Sequence, residues 1–344
     1  MLPGMDAPDL DNRTEYVVHP QVLADRDGER LVVVVKATFE LEGAALEPAP
    51  PERMRGVRLA DVPWDPEVPA SIAYPCDLAL RKPATDVVVV GRAHAPGGRP
   101  IPRFEARLEI GPLQRAIAVF GPRVWGKDGA AIGPAQPTAE VDLKWDLAWG
   151  GFDDSDPEDP REEPRNPVGR GVARRAESLT GAAAPQIEEV GHPITSRDVR
   201  AAPAGLGPIG RAFAPRRGYA GTYDRTWKEN RAPLLPDDYD DRHAQVAPPP
   251  QIVTSPLAGA VPVRLVHLTP RPAVAFPLPA IVLELGIEVR GREPVRVRPM
   301  LDTVLVDTLL PGGDGVTVEL VWRTSVKAPR RLRDARIAVR EVRS

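Results

Sequence analysis

Forty-two of the 344 residues are proline, about twice the usual share of roughly 5%, and this narrows the folds open to the chain. Proline fixes φ and removes a backbone donor, so it is kept out of helix interiors and central strands. Valine-rich runs nevertheless persist between the prolines, and long helical periodicity is nearly absent. The pattern predicts an all-β chain: a β-sandwich-like core of about ten strands, long Pro/Gly-rich loops and few short helices.

The strands can be placed by side-chain period. Leu31 to Phe39 and Asp86 to Gly91 carry β-branched runs that suit strands buried on both faces. Arg103 to Ile110 alternates, with Phe104, Ala106, Leu108 and Ile110 on one side and Arg103, Glu105, Arg107 and Glu109 on the other. That is the signature of a half-exposed strand. Ala116 to Phe120 is expected to pair with it through a Gly111-Pro112 turn. Strand patterns return at Val263 to Leu268, Ile281 to Val289, Val295 to Val297, Thr303 to Leu309, Val316 to Trp322 and Ile337 to Val342. Pro311 to Gly315 reads as a hairpin connector between the fourth and fifth of these.

Between them the composition changes. The chain divides into an N-terminal β region (1–149), a Pro/Gly/Asp-rich region (150–251) that wraps the core, and a C-terminal β region (252–344), the three forming one composite unit. A structureless loop as long as the middle region would be abnormal inside a compact domain. It is therefore expected either to wrap the core as turns and short helical pieces or to carry the functional surface, and the two are compatible.

Charge and motifs exclude several functions. The formal net charge of -3 gives no global attraction to nucleic acid or anionic membranes. No secretory signal is readable in Met1 to Leu10, and no stretch approaches the roughly 20 apolar residues of a membrane helix, so a cytoplasmic location is expected. The single cysteine, Cys76, cannot form a disulfide within the chain. Nucleophile-elbow, zinc-protease and phosphate-loop motifs are missing, and the five histidines share no ligand spacing. No enzyme activity, cofactor or metal is expected. The acidic run Asp237-Asp238-Tyr239-Asp240-Asp241 could offer oxygens to a hard cation but lacks the order of a calcium loop, and it suits a turn better.

Several segments together resemble the bacterial domain-of-unknown-function family 2169, which is associated with type VI secretion loci. They include Val35-Lys-Ala-Thr-Phe39, Lys82-Pro-Ala-Thr-Asp-Val87, Trp149-Gly-Gly-Phe-Asp153, Asn166-Pro-Val-Gly-Arg-Gly171, Pro203-Ala-Gly-Leu-Gly-Pro208 and Gly221-Thr-Tyr-Asp224 with Trp227. The resemblance implies an adaptor or chaperone that binds a secreted effector and helps load it onto a VgrG-type spike, often alongside a PAAR tip. It carries over no catalytic residue.

The aromatic and charged residues of the middle region have two readings. They could pin loops to the sheet, with rings buried and polar groups satisfying loop backbone. Alternatively, Trp149, Asp153, Asn166, Arg170, Tyr223, Asp224, Trp227, Arg231 and Tyr239 form a protein-docking surface, since Trp, Tyr and Arg dominate interface energetics. Exposure of Trp149, Trp227 and Tyr239 discriminates the two. The alternative function is a carbohydrate-binding or hydrolytic β-sandwich, which needs Trp149 beside Asp153 and Asp238 in one cleft. A bare C-terminal edge strand could also accept a partner strand, although Arg296 and Arg298 would discourage that pairing.

Overall fold

The computed structural model describes residues 7–197, 201–309 and 315–342. Their strands form sheets of seven, five and four strands with several two-stranded ribbons, an all-β fold. The one α-helix among the described residues is the six-residue Arg225–Asn230.

The seven-stranded sheet is built on Gly28–Glu42, in which every residue from Leu31 to Leu41 is buried. It pairs antiparallel with Val17–Asp25 and Thr317–Lys327. Thr317–Lys327 then pairs with Leu301–Asp307, and Leu301–Asp307 pairs in parallel with Thr85–Val90. Strands from both ends of the sequence thus lie side by side within one sheet. Residues 311–314 of the expected hairpin connector lie outside the described residues, but the strands they join are paired antiparallel.

Period-two alternation gives this sheet two faces. Leu31, Val33, Val35, Ala37 and Phe39 point into the main core, which they share with Phe104, Leu108 and Ile110 of the five-stranded sheet. Leu283, Leu285, Ile287 and Val289 of the four-stranded sheet join the same core. The half-exposed strand falls at Arg103–Ile110 as its pattern predicts, and it pairs with Leu113–Phe120 across the expected turn. Val295–Val297 lies at the end of the four-stranded order.

The opposite face of the seven-stranded sheet is also covered. Val32, Val34 and Val321 pack against Val57, Leu78, Leu80 and Leu235. Val88, Val90 and Leu305 pack against Trp64, Ala73, Tyr74 and Ala247. The covering loops place a dense ionic network over the strand charges. Lys36 Nζ lies 2.7 Å from Asp77 and 2.9 Å from Glu319, with both partners buried. Arg55 bridges Asp307 at 2.7 Å and Glu319 at 2.8 Å, and Arg58 forks onto Glu319. Tyr74 donates its hydroxyl to Asp307 at 2.7 Å.

Candidate functional site

The nine docking candidates fall into two groups. The first surrounds the loop from Trp145 to Gly171. Asn166 has no exposed surface, and its Nδ2 donates to the carbonyls of Trp145 at 2.8 Å and Trp149 at 2.9 Å. Arg170 Nε donates to the Asp146 carbonyl at 2.7 Å, and burial pushes its guanidinium pKa down. Asp153 accepts the backbone amides of Arg174 at 2.7 Å and Ser155 at 2.9 Å, and these bonds hold its carboxyl at about 2. Trp149 is half-buried and packs beside Trp125.

Backbone clearance explains the glycines here. A Cβ on Gly171, at φ 113°, would come within 2.7 Å of the Trp149 ring. In this group the loop-holding reading describes what the polar side chains do: Asn166 and Arg170 donate to loop carbonyls, and Asp153 accepts loop amides. Asn166→Ala would leave the Trp149 carbonyl without its side-chain donor and the Trp145 carbonyl with the Ala148 amide alone, an expected cost of about 1–3 kcal/mol. Faster amide hydrogen exchange across residues 145–171 would check this, and unchanged protection would refute it.

The second group lies around Arg225–Asn230. Asp224 caps the helix by accepting the Trp227 amide at 2.7 Å, as a residue preceding a helix should. Trp227 is half-buried, with Nε1 donating to the Leu234 carbonyl at 2.8 Å. Tyr223 stands edge-on to it at 4.7 Å between centroids and is 52% exposed. Arg231 donates to the Arg26 carbonyl at 2.8 Å and pairs with Asp237 at 2.8 Å, which ties the helix end to the edge of the seven-stranded sheet.

Tyr223 and Tyr239 line a cleft of about 330 Å³ with an apolar base of Leu23, Leu78, Leu80 and Leu235. Arg211, Cys76 and His243 line it too. Burial, aided by the neighbouring Asp241, pushes the Tyr239 hydroxyl up to about 12, so it stays protonated and able to donate at neutral pH. Burial also raises the Cys76 thiol pKa and lowers that of His243, so both are neutral there. The cleft can therefore offer leucine and tyrosine side chains together with the cation of Arg211, which pairs with Asp61 of the same lining at 3.7 Å.

Arg211, Leu23 and Leu78 were not among the docking candidates read from sequence. Their segments are far apart along the chain, and only the fold brings them together. The acidic run is likewise divided among partners. Asp237 meets Arg231, Asp238 accepts from Thr222, Asp240 from Arg242, and Asp241 meets Arg81. Among the described residues, no group of three or more His, Cys, Asp or Glu side chains is placed to hold a metal ion.

Two smaller apolar clefts, of about 270 and 280 Å³, adjoin through shared Ile209, Pro215 and Pro249. No described helix is long and apolar enough to cross a membrane.

Comparison with known proteins gives one match. Neither a curated protein nor a solved structure matches the chain. The model of one family matches residues 26–323, most of the chain and both groups of candidate residues. The protein therefore belongs to the family described as uncharacterized protein conserved in bacteria (DUF2169).

Proposed function

We propose that the protein is an adaptor of a type VI secretion apparatus, binding a secreted effector in the cytoplasm and helping to load it onto a VgrG-type spike. The observation that carries this reading is the cleft beside Arg225–Asn230, where exposed Tyr223 stands over an apolar base next to Arg211. Exposed Tyr with a neighbouring Arg is the composition of an interface anchor. The surrounding loops are held by Asp224, Arg231 and Trp227, so docking would cost little ordering entropy.

The carbohydrate reading has less support. It needs Asp153 and Asp238 free beside Trp149, whereas Asp153 is engaged by backbone amides and Asp238 by Thr222.

Co-purification of the tagged protein with the spike and effector encoded nearest its gene tests the adaptor reading. A complex that stays together on size exclusion at micromolar concentration is expected. Tyr223→Ala and Arg211→Ala should each weaken it by about tenfold or more, with melting temperature unchanged. Separate elution of all partners would refute the reading, and glycan turnover lost in Asp238→Ala would favour the alternative.

A further inference from the structure

On the outer face of the seven-stranded sheet, adjoining the aromatic cleft at Leu80, a second opening of about 280 Å³ is lined by Arg30, Arg81, Lys82, Asp302, Arg323, Thr324 and Ser325, with Leu80 and Met300 beside them. We infer that this cleft binds a small oxyanion, a carboxylate or phosphate group, through Arg30 and Arg323. The inference goes beyond the adaptor reading and does not depend on it.

The case rests on counting donors and acceptors. Asp302 is the one carboxylate in the lining, and it is already used. Its Oδ1 accepts from Thr303 Oγ1 at 2.8 Å and Arg323 Nη2 at 2.9 Å, and its Oδ2 accepts from Arg323 Nε. Arg323 is 7% exposed, yet its Nη1 is buried with no partner. Arg30 donates once, from Nη2 to the Ser325 carbonyl at 3.2 Å, while its Nε is buried and unpaired. Among the described residues, no carboxylate forms an ion pair with Arg30.

The other two cations turn partly away. Lys82 gives Nζ hydrogens to Asp86 at 2.6 Å and Thr303 at 2.9 Å, and Arg81 pairs with Asp25 and Asp241. Asp86, Asp25 and Asp241 are not in the lining. The cleft is thus left with unpaired N–H donors and one uncompensated guanidinium, while its one carboxylate is engaged by Arg323 and Thr303. Buried donors without acceptors are costly. A charged oxygen ligand neutralises Arg30, and guanidinium groups match the geometry of carboxylate and phosphate. The volume suits a single such group and falls below the range of roughly 300–1,000 Å³ typical of larger ligands.

The test titrates the full chain with inorganic phosphate and, separately, with acetate, at ionic strength held constant with sodium chloride. Calorimetry measures affinity, and the arginine side-chain Nε–H signals of nitrogen-labelled protein report the place. One saturable site is expected, with the Arg30 and Arg323 signals shifting together. Arg30→Gln should weaken binding at least about tenfold, while Arg264→Gln, on the exposed face of another sheet, should leave it unchanged. Saturation by acetate alone would assign the carboxylate source, and saturation by phosphate alone the phosphate source. Saturation by neither below about 10 mM overturns the inference, as does unaltered affinity in Arg30→Gln. Should that variant fail to fold, the wild-type signals decide: shifts confined to other arginines overturn it. Loss of spike binding by the wild-type chain would refute the adaptor reading and leave this site untouched.

Discussion

Glu319→Gln is expected to destabilise the protein by about 3–5 kcal/mol, the cost of breaking a buried ion network by removing one member. The network sets three cations, Lys36, Arg55 and Arg58, against three carboxylates, Asp77, Asp307 and Glu319. Glutamine keeps the shape of the side chain but removes one negative charge, leaving a net positive charge under the covering loops. Urea unfolding of the variant and wild type measures the difference. A loss below about 1 kcal/mol would mean that solvent reaches the network and screens it.

The same residue predicts an acid limb. Burial alone would raise the Glu319 pKa, but Lys36, Arg58 and Arg55 outweigh it and hold the carboxyl at about 2. In the unfolded chain a glutamate titrates near about 4.3. The folded value is depressed, so the contribution is complete above the unfolded pKa. It is lost as pH falls from there toward the folded value, and it amounts to roughly 3 kcal/mol. Wild-type stability should decline across that window more steeply than that of Glu319→Gln. Parallel acid limbs would refute the assignment.

Asp86→Ala is expected to cost about 4 kcal/mol or more. Asp86 is fully buried and accepts from Lys82 Nζ at 2.6 Å, Gln245 Nε2 at 2.6 Å and the amides of Val246 at 2.8 Å and Ala247 at 3.1 Å. This one carboxylate joins the loop at 245–247 to the strand Thr85–Val90 and neutralises a lysine that is itself buried. Alanine strands that lysine and both amides. Hydrogen exchange at Val246 and Ala247 should accelerate along with the loss of global stability, and Lys82→Met in the same chain should recover part of that loss. An Asp86→Ala protein as stable as wild type would show that Lys82 can reach water.

The two largest predictions concern residues whose importance the sequence conceals. Lys36 and Glu319 each stand directly between apolar neighbours, Val35 and Ala37, Val318 and Leu320, and a charged residue at such a position ordinarily faces solvent. Here the loop from Met54 to Leu80 folds over that face and supplies Arg55, Arg58 and Asp77. The docking candidates divide for the same reason. Trp149, Asn166 and Tyr223 all sit in proline-rich loops, but only packing decided that Asn166 has no exposed surface while Tyr223 is half open.

Strand positions could be read locally because alternation is a property of neighbouring residues. Arg103–Ile110 needed only its own eight residues to reveal which side chains would be buried. Proline content and valine runs likewise determined the all-β class, since they act on each residue's φ and on its fit to a pleated surface. The tertiary structure alone decided which strands became neighbours, with Thr85–Val90 beside Leu301–Asp307. It also decided which loop covers the charged face and which distant segments line each cleft. Those outcomes depend on contacts between residues more than two hundred positions apart, such as Arg55 with Glu319, and no local pattern records such a pairing.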